Sequence, residues 1–203
     1  GALLISLTVS HKRILLDRPF GHHGDKDARI AKHTEYLAEV LENVVNSLDA
    51  SLVFLPHSLE SGTRNDIWAA RGVAEKLPWG EERVSVLEDD LPARTLKAII
   101  RESDFLIGQR AHSLIGSASV KTAFAALTAS DDQRTYDILG DMCGCQEQMV
   151  YMDQHTAEDA AKVICDLVDD RRTIENRLAS TMDDMLKDLA EVRDLVLGTE
   201  ATH

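Results

Sequence analysis

Basic residues are scarce in this chain, and their scarcity excludes a large class of functions. The 203 residues include 22 lysines and arginines against 35 aspartates and glutamates, so the formal charge is −13. Proteins that bind nucleic acids draw much of their affinity from basic patches that contact phosphate. We therefore expect no nucleic-acid partner. Residues 156–203 hold 12 acidic and 6 basic side chains, so nearly half of the acidic excess lies at the carboxyl end.

Aromatic residues and cysteines are also few. Aromatic side chains make up 4% of the chain, which disfavours the stacking platforms that bind single strands or exposed sugars. The three cysteines are odd in number, which fits a reducing compartment better than a disulfide scaffold. Cys143 and Cys145 are separated by one residue, but no second pair of ligands follows at a suitable spacing. We therefore predict no metal site.

Long apolar runs are missing as well. No stretch approaches the roughly 18 apolar residues of a transmembrane helix. Residues 1–7 are apolar, but they lack the basic leader of a signal peptide and favour a strand. We expect a cytoplasmic protein, either free or peripheral at the inner face of the membrane. Because the chain begins at Gly1 rather than at a methionine, we also expect residues upstream of it.

The chain does contain an alternation of short apolar runs with longer segments of helical period. This alternation is typical of a parallel sheet covered by helices. With right-handed crossovers, it predicts an α/β fold: a Rossmann-like open sheet of about six strands with helices on both faces. The predicted strands are residues 3–9, 52–55, 84–87, 105–108, 122–127 and 149–152. The predicted helices are residues 30–48, 65–77, 92–102, 111–120 and 135–142.

The C-terminal segment has a different pattern. We predict a helix that is capped at Thr156 and interrupted near residues 169–171. A second, longer helix follows, with apolar residues at alternating spacings of three and four, as in a coiled coil. We assign residues 1–170 to the Rossmann-like domain and 171–203 to a C-terminal helical extension, which either packs on its own domain or forms a homodimer. The apolar stripe comprises Ile174, Leu178, Met182, Met185, Leu189, Val192 and Val196.

Ligands of open α/β sheets bind beyond the carboxyl ends of the strands, so the segments that follow the strands hold the candidate site residues. The first of these segments, residues 11–24, is long and contains glycines and the pair His22–His23. It is either a substrate loop or an ordinary surface loop.

The segment after the fourth strand is the most informative. Arg110, His112 and Ser113 fall where a helix begins, and the free N–H groups of a helix start favour a bound anion. Arg110 can bind a phosphate or carboxylate through two nitrogens. A histidine beside an anion is favoured in its protonated form, which suits a general acid. Alternatively, Arg110 and His112 form a structural pair that closes the helix, and Ser113 caps it.

These residues carry a resemblance to a known family. The segment 104–116, DFLIGQRAHSLIG, is followed by an apolar strand and by SDDQRTYDILG at 130–140. This order resembles the C-terminal half of the polysaccharide pyruvyl transferase family, which has Gly-x-Arg-Leu-His after an acidic residue and a strand. Upstream, FLPH at 54–57 followed by Asp66 is similar to the family's strand-Pro-His element with its Asp-containing helix. The resemblance covers residues 3–170.

Three positions depart from the family's pattern. Ala111 replaces the usual leucine, Ser130 stands where an aromatic residue is common, and Arg134 stands where the family has lysine. An arginine can still bind an anion, although not as a compact point charge.

The resemblance implies a fold, a reaction and a set of roles. It implies that this chain is the C-terminal half of a GT-B-like enzyme, and that this half binds the donor. It also implies transfer of pyruvyl from phosphoenolpyruvate to two hydroxyls of a saccharide acceptor as a ketal, with no cofactor or metal. His112 would be the general acid and Arg110 the anion-binding residue. Ser113, Arg134 and His57 would contact the substrates.

Two other functions stay open. A nucleotide-sugar glycosyltransferase can share the same architecture, because fold does not fix function; Glu88, after the third strand, is then a weak candidate for contacting the ribose. The other alternative is a non-catalytic binding or assembly module that dimerises through its C-terminal helix.

Overall fold

A parallel sheet organises the chain in the computed structural model, which describes residues 2–11, 25–62 and 65–197. Within these ranges the sheet has six strands in the order β3-β2-β1-β4-β5-β6, and each pairs with its neighbours in parallel. The predicted Rossmann-like open sheet is confirmed. Its strands are β1 (Leu3–Thr8), β2 (Ala50–Phe54), β3 (Val84–Val86), β4 (Phe105–Gly108), β5 (Phe124–Thr128) and β6 (Met149–Tyr151).

Helices connect the strands close to where the apolar periodicity predicts them. The first begins earlier than predicted, at residue 26 rather than 30, because its first turn is exposed and carries no apolar signal. The helices are α1 (Lys26–Leu48), α2 (Asp66–Ala74), α3 (Ala93–Glu102), α4 (Ala111–Ser119), α5 (Gln133–Thr135), α6 (Ala157–Asp169) and α7 (Arg171–Leu197). The single turn of α5 continues as a π-helix at Tyr136–Met142, and a 3-10 turn at Gln146–Gln148 leads into β6.

The helices cover the sheet in two groups. Helix α1 packs against α2 and α6, whereas α4 packs against α3 and α7. Because helices cover the strands, the apolar runs of the central strands are buried along their whole length, as in β4 and β5. The amphipathic periodicity of α1 has the same cause, since its buried face includes Leu37, Leu41 and Val44.

The C-terminal pair of helices begins and divides as predicted. Thr156 caps α6, since its Oγ1 accepts a hydrogen bond of 3.1 Å from the backbone N–H of Asp159. Helix α7 follows after Asp170, and its first turns belong to the core through the buried Ile174 and Leu178. Further along α7 the apolar side chains are exposed, and they include Leu189, Val192 and Val196. Across the described ranges, the helices lack the combination of length and apolar character that spanning a bilayer needs.

The strand order creates a switch point between β1 and β4. Strands β1 to β3 are added toward one edge of the sheet and strands β4 to β6 toward the other. Ligands of such sheets bind in the crevice at the carboxyl ends of the two strands where the order reverses. The predicted loop after β1, with its His22–His23 pair, falls largely on residues 12–24, outside the described residues.

Candidate functional site

The parallel register brings the residues that follow β1, β2 and β4 to one edge of the sheet. Thr8 lies opposite Gly108 at the ends of β1 and β4, and the N–H of Gln109 donates to the carbonyl of Thr8 at 2.9 Å. Leu7 lies opposite Phe54, two residues before Pro56. The predicted site residues therefore follow the two strands that flank β1: His57 follows β2, and Arg110 and His112 follow β4.

A close approach of α4 to β4 fixes the start of that helix. A Cβ atom at Gly108 would lie 2.7 Å from Cδ2 of Leu114, so a larger residue here would require the Leu114 side chain to shift. Ser113 is fully buried, its Oγ donates to the carbonyl of Arg110 at 2.7 Å, and it lies 2.7 Å from Oγ1 of Thr8. This hydroxyl, a predicted substrate contact, is thus engaged in joining the helix start to β1.

Arg110 binds a carboxylate of the protein itself. Its Nε donates to Oδ2 of Asp66 at 3.0 Å, and its Nη2 donates to Oδ1 of the same side chain. Asp66 is almost fully buried and also accepts the backbone N–H groups of His57 and Ser58, at 2.9 and 3.0 Å. We call His57, Asp66, Arg110 and His112 the charged cluster.

Asp66 engages Nε and Nη2 of Arg110, because a buried carboxylate needs a charged partner. The two-nitrogen contact of Arg110 to a substrate anion stays a prediction. The alternative, a structural pair of Arg110 with His112, is not formed, since the guanidinium turns toward Asp66 instead. Nη1 makes no hydrogen bond to any residue in the described ranges, and the side chain is 16% exposed. Arg110 can therefore still offer a substrate both N–H groups of Nη1 and the second N–H group of Nη2.

The two histidines of the charged cluster differ in exposure. His112 is exposed at the second residue of α4, where a substrate can reach it. His57 is half-buried, and its pKa is lowered mainly by burial, although the Leu55 carbonyl, 3.3 Å from its Nδ1, and the Asp66 carboxylate act in the opposite sense. Arg110 and His112 also lower the pKa of His57. Its lowered pKa keeps His57 mostly neutral at pH 7.

Arg134 follows β5, which is the strand next to β4. It is exposed in α5, and no hydrogen bond or ion pair links it to the charged cluster in the parts of the chain that the structure describes. Its neighbour Asp132 is buried and accepts from Thr128 Oγ1 at 2.8 Å and from the N–H of Thr135 at 3.2 Å. Asp132 thus begins α5 as its N-cap. The described residues contain no group of three or more His, Cys, Asp or Glu side chains arranged for a metal ion.

A second polar cluster lies at the same switch point and was not predicted. His33 of α1 is fully buried, and its Nε2 lies 2.8 Å from Nε2 of Gln109. Gln109 also contacts Sδ of Met152 at 3.3 Å and accepts the N–H of Ser10 at 3.1 Å. The ring of His11 packs edge-on against that of His33, with centroids 6.1 Å apart. We call Ser10, His11, His33 and Gln109 the neutral cluster.

The acidic residue considered for a nucleotide ribose lies elsewhere. Glu88 borders an open cleft of about 550 Å³ beside β3, which Arg71, Trp79 and Glu75 also line. Its carboxylate accepts from Nε of Arg71 at 2.8 Å, so it already has a cationic partner. The charged cluster does not line this cleft.

The fold defines the class of the protein, and solved structures share it. A mutant O-GlcNAc transferase from Thermobaculum terrenum has a TM-score of 0.59 at 12% identity, over 91% of this chain and 32% of that one. A calicheamicin glycosyltransferase has a TM-score of 0.56 at 10% identity, over 99% of this chain and 45% of that one. The glycosyltransferase of kitacinnamycin has a TM-score of 0.55 at 12% identity, over 96% of this chain and 43% of that one. At such identities the likeness concerns the fold, which is a Rossmann-like domain that resembles one half of a GT-B protein. This chain spans less than half of the length of each of these three proteins.

The family follows from the sequence itself. The model of the polysaccharide pyruvyl transferase family matches residues 11–131, a range that includes His57, Arg110 and His112. The chain belongs to this family, and the family is one of transferases. The comparison with curated proteins gave no match.

Proposed function

We propose that this chain binds phosphoenolpyruvate at the charged cluster and takes part in transferring its pyruvyl unit to a saccharide as a ketal. The observation that supports this most strongly is the combination of family membership with an exposed histidine at a helix start, beside a fixed arginine. The acceptor would be a cell-surface polysaccharide or its lipid-linked precursor.

The contact between Asp66 and Arg110 bears on which groups would hold the negative charges of phosphoenolpyruvate. Because Asp66 neutralises most of the charge on Arg110, a phosphate or carboxylate must rely on other groups as well. The free N–H groups at the start of the nine-residue α4 supply one contribution, and protonated His112 supplies another. Arg110 adds both N–H groups of Nη1 and the second N–H group of Nη2. Arg134, exposed after β5, is our candidate for a second anion contact.

The proposed chemistry assigns one proton transfer to His112. His112 donates a proton to the methylene carbon of phosphoenolpyruvate, which becomes a methyl group and leaves an oxocarbenium-like centre. One sugar hydroxyl adds to that centre, the C–O bond to phosphate breaks, and a second hydroxyl adds to complete the ketal. One of the two hydroxyl protons restores His112, and the other leaves with the phosphate. Positioned N–H donors stabilise the negative charge that develops on the phosphate.

The other substrate contacts have lesser roles in the proposal. His57, neutral and half-buried, would orient the donor or face the acceptor. Ser113 would act indirectly, because its hydroxyl fixes the carbonyl of Arg110 and the start of α4. We also propose a location in the cytoplasm or at its membrane face, which the free cysteines favour. Dimerisation through the exposed apolar residues of α7 is a further proposal, supported by the stripe that continues from Leu178.

A pyruvyl-transfer assay with a matched pair of variants tests the proposal. Phosphoenolpyruvate and a hexoside acceptor with free hydroxyls should yield a ketal and phosphate. His112→Gln should lower the rate about 100-fold or more, because it removes the general acid while keeping the side chain polar. His155→Gln is the control, since that histidine lies beyond β6. Wild-type activity in His112→Gln would disprove the assigned mechanism.

A nucleotide-sugar glycosyltransferase is the alternative, because the solved structures with this fold include glycosyltransferases. Thermal-shift measurements with phosphoenolpyruvate and with common nucleotide sugars separate the two functions, since a ligand raises the melting temperature only of a protein that binds it. We expect the shift with phosphoenolpyruvate. A shift with a nucleotide sugar alone would favour the alternative.

A further inference from the structure

Two polar atoms of the neutral cluster are buried without a partner. Oγ of Ser10 and Nε2 of His11 are shielded from solvent, and no described residue donates a hydrogen bond to them or accepts one from them. Ser10 is fully buried and His11 is 6% exposed. A buried polar atom left unpaired costs about 1–3 kcal/mol, so such atoms in a folded protein usually indicate a bound water, a ligand or a catalytic role.

The surrounding contacts leave these two atoms in fixed positions. Oε1 of Gln109 accepts the N–H of Ser10, and Nε2 of Gln109 is directed to His33 and to Met152. Gln109 therefore cannot turn to complete the hydrogen bonds of Ser10 Oγ or His11 Nε2. The edge-on contact with His33 restricts the ring of His11.

The absence of formal charge limits what can bind. Burial lowers the pKa of His11 to about 4 and also lowers that of His33, so both rings are neutral at pH 7. None of the four side chains of the cluster therefore carries a formal charge at pH 7. An anion bound to them would lose its hydration without gaining a charge partner from the cluster itself, whereas a neutral hydroxyl needs none. A hydroxyl can both accept from a group such as Ser10 Oγ and donate to one such as His11 Nε2.

Ser10 and His11 lie at the same switch point as the proposed donor site. Ser10 and His11 follow β1 at the switch point, and Gln109 directly precedes Arg110. We propose that Ser10 and His11 form a subsite for a hydroxyl group of the saccharide acceptor, beside the charged cluster that binds the donor. This inference rests on the proposed function for the identity of the sugar as acceptor.

Nuclear magnetic resonance of the histidine rings tests the subsite directly. The probes are the methyl glycosides of glucose, galactose and mannose, and the Cε1–H signals of His11 and His33 are assigned with the variants His11→Gln and His33→Gln. We expect at least one glycoside to shift both signals. Ser10→Ala should weaken that binding about tenfold, the effect of losing one hydrogen bond to a ligand. Ser119→Ala, whose hydroxyl bonds only within α4, is the matched control and should bind as wild type.

Three results would overturn the inference. The first is a response of the His11 signal to phosphoenolpyruvate or inorganic phosphate but to none of the glycosides, which would make the pair an anion contact. The second is no response of His11 to any of these probes in the folded protein, as expected if the two atoms hold only an internal water. The third is equal binding of the glycoside by wild type and Ser10→Ala.

Kinetic constants keep this inference separate from the proposed function. If the protein transfers pyruvyl groups, Ser10→Ala should raise KM for the acceptor about tenfold and leave KM for phosphoenolpyruvate unchanged. An increase confined to the KM of phosphoenolpyruvate would contradict the subsite while supporting the donor function. If wild type transfers no pyruvyl group, the proposed function fails, and the glycoside titration still decides whether Ser10 and His11 bind a sugar hydroxyl.

Discussion

Gln109 and Arg110 are adjacent in sequence, yet they belong to polar clusters of opposite character. Gln109 turns toward α1 and the end of β6 and contacts the buried neutral imidazole of His33. Arg110 turns toward α2 and forms an ion pair with the buried Asp66. The end of one strand thus separates a neutral environment from a charged one over a single residue.

The two clusters also differ in how completely their polar groups are paired. In the charged cluster, Asp66 accepts two backbone N–H groups and two guanidinium N–H groups. In the neutral cluster, Ser10 Oγ and His11 Nε2 have no partner in the described part of the chain. The comparison teaches that charge and accessibility need not coincide: the ion pair joins the loop after β2 to the start of α4, while the groups we propose to act on substrates are the exposed His112 and the unpaired neutral atoms.

Removing Asp66 is the strongest way to break the charged cluster. Asp66→Ala should lower the free energy of unfolding by about 3–5 kcal/mol, because it leaves Arg110 partly buried without its counter-charge and two backbone N–H groups without an acceptor. Urea denaturation at pH 7 measures the loss. Asp66→Asn, which keeps an oxygen acceptor, should lose less. A loss below about 1 kcal/mol for Asp66→Ala would mean that the pair is not a stabilising centre.

Acidification should act on the neutral cluster with a smaller effect. His11 has a pKa of about 4 in the folded protein against an ordinary value of 6.5, so below pH 6.5 the unfolded chain takes up a proton that the folded protein does not. The free energy of unfolding therefore decreases as the pH is lowered, by about 2 kcal/mol for His11 between pH 7 and pH 5. His33 acts in the same direction.

The matched variant for this pH dependence is His11→Gln. Urea denaturation at pH 7 and at pH 5 should show a smaller loss of stability for His11→Gln than for wild type. Equal losses in the two proteins would mean that His11 titrates normally and that the neutral cluster is accessible to water.

The sequence predicted the sheet and most helix boundaries because burial on both faces produces apolar runs that periodicity detects. It also predicted that Arg110, His112 and His57 would lie at one edge, since parallel strands end together. It did not predict the partner of Arg110, because Asp66 is 44 residues away and its burial is a property of the packed structure. The resemblance named Asp66, but the role of that residue required the fold.

The neutral cluster could have been suspected from one signal. His33 interrupts the apolar face of α1, where Leu37, Leu41 and Val44 are buried, and a polar residue on such a face needs a partner. That partner, Gln109, is 76 residues distant, and nothing local in the sequence connects the two. The unpaired state of Ser10 is likewise a result of three-dimensional packing alone.

The binding of phosphoenolpyruvate by wild type, His112→Gln and His11→Gln, measured by isothermal titration calorimetry, tests the division between the two clusters most directly. We predict that wild type binds phosphoenolpyruvate, that His112→Gln binds it about tenfold more weakly, and that His11→Gln binds it as wild type does. Unchanged binding by His112→Gln, or a loss confined to His11→Gln, would contradict the assignment of the donor to the charged cluster.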